Sequence, residues 1–286
     1  MFLSKKKSEV TVWLQVIIFS ALVEFGRHSI RWLSLKQLAK KHLQPLVIFL
    51  GDFTSRAVPF TLYNRGMLLF VTLLTFFICG YLFNQKKVIK ELLTRNITWK
   101  AFLTGFAIGG AISVALLVLR LQAQSSYLLK AFSLQGFYAL LIYLSIYSLN
   151  DYAEEIMFRG YIMERFTSVY SIHVACLLQA FIFGIGHLGG FSVLSGLPSL
   201  INAFCGGLFL GYVALYTKSF YGSFAAHLAL NGFGNYLNTL ANVAEKTYLL
   251  KTVRIDIRMH YLCVPTALTL AYLVHQRKAA TQAHRS

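Results

Sequence analysis

Acidic residues are scarce in this chain: 10 Asp and Glu among 286 residues, with charged residues of both signs reaching only 13%. A soluble globular domain carries about 25%. With 57% hydrophobic residues, the chain has more apolar surface than one water-soluble core hides, which excludes an ordinary cytosolic enzyme and a disordered chain. Cysteine is also scarce. Cys79, Cys176, Cys205 and Cys263 lie in apolar stretches without CxxC spacing, which excludes a disulfide scaffold and a zinc knuckle. There are four prolines, no internal repeat and no low-complexity linker, so residues 1–286 read as a single domain. Strict apolar/polar alternation is missing too, which disfavours a large β-barrel. What the chain does have is long continuous apolar runs and 27 Lys and Arg. No soluble domain concentrates those cations, so a compact nucleic-acid binder is excluded. The composition implies an all-α, polytopic membrane helix bundle, with basic loops facing lipid head groups.

Eight spans are expected. Val10–Phe25 follows a short basic start (Lys5, Lys6, Lys7); no small-residue cleavage site follows it, so it reads as an uncleaved first span. Gly66–Phe83 and Trp99–Leu119 come next, then a long apolar stretch from Tyr127 to about Phe166 that charge interrupts. Val169–Gly186, Leu197–Thr217, Ser219–Leu240 and Tyr261–His275 complete the set. Between the first two, Trp32, Leu35, Leu38 and Leu43 recur at roughly helical spacing among Lys36, Lys40 and Lys41, the pattern of an interfacial amphipathic helix or of a solvated loop helix. Pro45–Leu50 is too short to span. Loop Lys and Arg divide almost evenly between the two sides, so the positive-inside rule fixes no orientation.

Four of the ten acids, Asp151, Glu154, Glu155 and Glu164, fall in one fourteen-residue window inside the longest apolar region. A carboxylate at the bilayer centre costs about 2.5–3.5 kcal/mol on insertion scales and usually faces a protein interior or a wet cavity. If residues 154–160 are helical, Glu155 and Arg159 share a face and pair. Glu154 is rotated by about 100° from Glu155, so Arg159 does not obviously neutralise it. Glu155 with Arg159 would organise the site, and Glu154 would be available as a general base. A buried ion network that only holds helices together is the competing reading.

Five histidines, His28, His42, His260, His275 and His284, read as peripheral, and His173 reads as interfacial. His187 ends the run Phe181-Ile-Phe-Gly-Ile-Gly-His, with glycines at 184, 186, 189 and 190 that permit close approach. His227 and Asn231 lie four apart, on one helical face. If Thr167–Ser171 is a tight turn, Glu154 and His187 both lie about 23–27 Å from it and can meet across a helical hairpin. His227 is only about nine residues beyond the Lys218 connection, the weakest link in that geometry.

Glu154-Glu155-x-x-x-Arg159, Phe183-x-x-x-His187 and His227-x-x-x-Asn231, in that order, resemble the CPBP family, which comprises the type II CAAX prenyl endopeptidases and bacterial relatives, including bacteriocin-immunity proteins of the Abi type. The resemblance covers residues 150–235. It implies an intramembrane endopeptidase in which Glu154 activates water, while His187, His227 and Asn231 position it and stabilise the oxyanion. Glu155 and Arg159 would be site-organising. It leaves open a divalent metal such as zinc, with His187, His227 and Glu154 as ligands, beside a metal-free glutamate mechanism; there is no HExxH helix. The implied partners are a peptide or membrane-protein substrate and the lipid bilayer, with no nucleic acid, and the implied location is a bacterial plasma membrane. A non-catalytic scaffold or immunity factor, and a transporter using Glu154 and Glu155 as a proton relay, are the alternatives.

Overall fold

The computed structural model describes residues 8–41, 57–83, 98–120, 134–188, 193–237 and 259–283. These residues are helical apart from short connections, and no strand occurs among them. Among the described residues a helix overlaps each expected apolar run: α1 (Glu9–Lys41), α2 (Ala57–Leu82), α3 (Trp99–Arg120), α4 (Leu134–Glu155), α5 (Ile172–Gly186), α6 (Val193–Thr217), α7 (Phe220–Leu228) and α8 (Met259–Ala283). Four of them contain stretches long and apolar enough to cross a membrane: Glu9–Gly26, Arg65–Leu82, Trp99–Leu116 and Gly196–Thr217. Ile172–Gly186 and Leu262–Gln276 are apolar but shorter. Large apolar side chains such as Leu14, Ile17, Phe70, Phe77, Leu103 and Phe181 are exposed on the outside of the bundle, as a lipid-facing surface requires.

One expectation changes. The basic stretch after the first span is helical to Lys41, but it continues α1 as one 33-residue rod with no separate interfacial helix before that point. The expected onset of the fourth span at Tyr127, and Pro45–Leu50, lie outside the described residues.

α6 sits at the middle of one half, packed against α5, α7 and α8, while α4 packs against α2 and α7. α4 does not stop at Glu155. It runs through a π-helical stretch, Ile156–Ile162, into a last turn, Met163–Thr167. The chain then reverses over four residues, and the Ser171 hydroxyl caps α5 by accepting from Val174 N (3.4 Å). The next reversal is tighter. Lys218 takes φ 54°, and Ser219 caps α7 by accepting from Tyr221 N (3.2 Å). A second π stretch, Ala229–Phe233, continues α7. The expected Thr167–Ser171 turn and antiparallel hairpin therefore form.

α3 and α7 approach backbone to backbone. A Cβ on Gly105 would meet the Gly222 carbonyl, and one on Gly109 the Ala226 carbonyl. This is small-xxx-small packing, and it seats Ala226 beside His227. Gly109→Ala is expected to cost about 1–3 kcal/mol by overpacking. Gly110→Ala, where an added Cβ meets nothing within 4 Å, leaves stability unchanged or slightly raised. Thermal unfolding of the two purified variants compares them directly.

Candidate active site

One face of α4 carries the acids. Asn150, Asp151, Glu154 and Glu155 occupy its last two turns, and Arg159 follows in the π stretch; all five are buried. The facing wall is α7 with the π stretch that continues it, where Ser223, His227 and Asn231 recur every fourth residue. Both walls pass into π-helix at this level, Ile156–Ile162 after the Glu-Glu pair and Ala229–Phe233 around Asn231. Such wide turns are rare and concentrate at functional sites. Ser113 of α3 donates to the Ala229 carbonyl (3.0 Å) at the start of the second one.

Glu155 is the best-held group. Its Oε1 accepts from Arg159 Nη1 (2.8 Å) and faces His227 Nδ1 (2.9 Å), and its Oε2 accepts from the Ser223 hydroxyl (2.5 Å). Arg159 also donates through Nη2 to the Gly207 carbonyl (2.9 Å), to which Gln179 Nε2 donates as well (2.9 Å). Glu155 and Arg159 thus tie α4 to α7 and, through Gly207, to α6 and α5. The expected pairing of Glu155 with Arg159 is present, and it is one bond of a wider network.

Glu154 points elsewhere. Its Oε1 accepts from Asn150 Nδ2 (3.1 Å), and its Oε2 lies 3.9 Å from His227 Nε2. Arg65 of α2 in turn donates to Asn150 Oδ1. His227 therefore stands between the two glutamates: Nδ1 on Glu155, Nε2 turned to Glu154 and, also at 3.9 Å, to Asp151 Oδ1. With Nδ1–H donated to Glu155, the imidazole is oriented as a carboxylate-held histidine. Asn231 Nδ2 donates to Asp151 Oδ1 (2.9 Å). The weakest link of the sequence geometry closes: α7 brings His227 directly onto the carboxylates.

His187 is placed differently. It is the exposed C-cap of α5, with Nδ1 on its own Phe183 carbonyl (2.8 Å). Phe183 is the α5 side chain that enters the cluster. Its ring meets Phe158 edge-on (4.8 Å), carries the Arg159 guanidinium (5.0 Å to the centroid), and lies between His187 (4.5 Å) and His227 (6.1 Å). Among the described residues no group of three His, Cys, Asp or Glu side chains is arranged to hold a metal ion. His187 Nδ1 and His227 Nδ1 are both engaged by protein acceptors. Of the expected set His187, His227 and Glu154, the last two face each other, while His187 stands on the other side of the Phe183 ring. The four cysteines are buried and free.

Residues 135–233, about a third of the chain, match the family described as type II CAAX prenyl endopeptidase Rce1-like. The match begins and ends within the segment that holds both site walls, and it is the family that the three motifs resemble. No curated protein and no solved structure matches the chain. That match and the helices long and apolar enough to cross a membrane support an integral membrane protein.

Sequence reasoning gave no role to Asp151, Asn150, Ser223, Gln179 or Arg65. For two of them a signal was present. Asp151 lies one turn before Glu155, and Ser223 extends the stripe of His227 and Asn231 by one turn.

Proposed function

We propose that the protein is an intramembrane endopeptidase that hydrolyses a membrane-associated peptide or protein, with Glu154 as general base. The observation that supports it most is the division of labour around His227. Glu155 is saturated by Arg159, Ser223 and His227, whereas Glu154 faces His227 Nε2 across 3.9 Å. A water between these two groups is held by a carboxylate and an imidazole at once, and a carboxylate is a suitable base for water. Glu154 takes its proton as the oxygen attacks the peptide carbonyl. The tetrahedral oxyanion accepts from the second Asn231 amide N–H and from His227 Nε2–H, the ring being doubly protonated among Asp151, Glu154 and Glu155. Collapse breaks the C–N bond, and Glu154 returns the proton to the leaving amine. Apo distances tighten only when substrate is present, and in this reading His187, one ring away across Phe183, completes the group that holds the water. Every step uses groups of this chain alone.

The test is turnover of a prenylated peptide ending in a CAAX sequence by the purified protein in ¹⁸O-water, with and without EDTA. A single ¹⁸O in the new carboxylate, and a rate that EDTA changes by less than about twofold, are expected from direct attack of water without a metal. Cleavage that EDTA abolishes would overturn the metal-free route. No cleavage of any membrane peptide, together with an unchanged biological phenotype in Glu154→Gln, would favour a scaffold.

A further inference from the structure

Asp151 is fully buried, and neither the paired glutamates nor Arg159 accounts for it. Its Oδ1 accepts from Asn231 Nδ2 (2.9 Å) on α7 and from Asn150 Nδ2 (3.2 Å) on its own helix, and it lies 3.9 Å from His227 Nε2. Its Oδ2 has no hydrogen-bond donor among the described residues. A carboxylate buried this deeply is costly, and its ion-pair contact among the described residues is the 3.9 Å approach of His227 Nε2. Leu or Ala would fill the position more cheaply if only packing mattered. What Asp151 does supply is an acceptor for one specific amide, 80 residues away on the facing wall.

An Asn side chain has two N–H donors and one carbonyl, and its ends are easily exchanged by rotation. Fixing one N–H on Asp151 Oδ1 decides which end of Asn231 faces α4, and so where the second N–H points. From these contacts we infer that Asp151 is a positioning residue: it locks the Asn231 amide with its nitrogen toward the carboxylate face, so that the second N–H is presented beside His227 Nε2 to the reacting carbonyl oxygen. Asn150 supports this from behind, donating to Asp151 and to Glu154 and accepting from Arg65. The role in turnover rests on the peptidase reading; the locking of the amide does not.

The two parts are tested separately. In ¹⁵N-Asn-labelled protein, with the Asn231 side-chain signal assigned by its loss in Asn231→Ala, one amide proton is expected to be protected from hydrogen exchange in the wild type. Both are expected to exchange rapidly in Asp151→Ala. Asp151→Asn keeps an acceptor at Oδ1 and should retain protection. In peptide turnover, Asp151→Ala is expected to lower kcat about 10–100-fold with KM within about twofold, as misplacing one oxyanion donor does, and Asp151→Asn to restore most of it. Two equally exposed amide protons in the wild type would overturn the locking without any variant, as would unchanged protection in Asp151→Ala. Wild-type kcat in a folded Asp151→Ala would overturn the catalytic consequence. A wild type that cleaves no peptide refutes the peptidase reading and leaves the exchange experiment to decide the locking.

Discussion

Glu155→Leu is expected to destabilise the protein by about 3–5 kcal/mol, the cost of leaving one partner of a buried ion pair unpaired. Arg159 and Glu155 side chains are both fully buried, so water cannot replace the lost carboxylate. The substitution removes the acceptor of three donors at once, Arg159 Nη1, the Ser223 hydroxyl and His227 Nδ1; of the three, the Ser223 hydroxyl has the Phe220 carbonyl (3.0 Å) to turn to. Arg159 has no slack to absorb the loss, since its Nε already has no partner among the described residues. Removing both charges, in Glu155→Leu with Arg159→Met, should cost less than Glu155→Leu alone, because an apolar pair of similar volume replaces a stranded cation. Thermal unfolding of the single and double variants in one detergent measures this. A Glu155→Leu protein as stable as wild type would mean that the network does not hold α4, α6 and α7 together.

The second large effect is on chemistry. Glu154→Gln keeps the shape of the side chain and its acceptor for Asn150, and it leaves the Glu155 network untouched. Stability should stay within about 1 kcal/mol of wild type, because the size of the side chain and its bond to Asn150 are kept. Peptide turnover should fall by about 10²–10⁴, the usual worth of a general base. The two glutamates thus predict opposite outcomes: Glu154→Gln removes the base from a folded protein, and Glu155→Leu removes the frame that holds His227.

Much of this was legible in the sequence, for a physical reason. Apolar runs bounded by charge mark helices in a bilayer directly, because backbone groups there must be satisfied within the segment. Trp99–Leu119 became Trp99–Arg120, and Leu197–Thr217 became Val193–Thr217. The Glu155–Arg159 pair was legible because i and i+4 are neighbours on any helix. Contacts between helices were not. Asp151 to Asn231, Ser223 to Glu155 and Arg159 to the Gly207 carbonyl depend on how far one helix slides along another. That slide is set by close packing such as Gly105 and Gly109 on the Gly222 and Ala226 carbonyls, which spacing along one strand of sequence does not reveal. His187 shows the same limit. Counting residues placed it level with Glu154, but the end of α5 turns its ring back onto Phe183.

Glu154 as the base of an intramembrane peptidase is tested most directly by single-turnover cleavage of a prenylated CAAX peptide by wild type and Glu154→Gln, purified and shown to unfold at the same temperature. The expected result is product with the wild type and a rate constant about 10²–10⁴ lower with the variant. Cleavage by folded Glu154→Gln at the wild-type rate would contradict it.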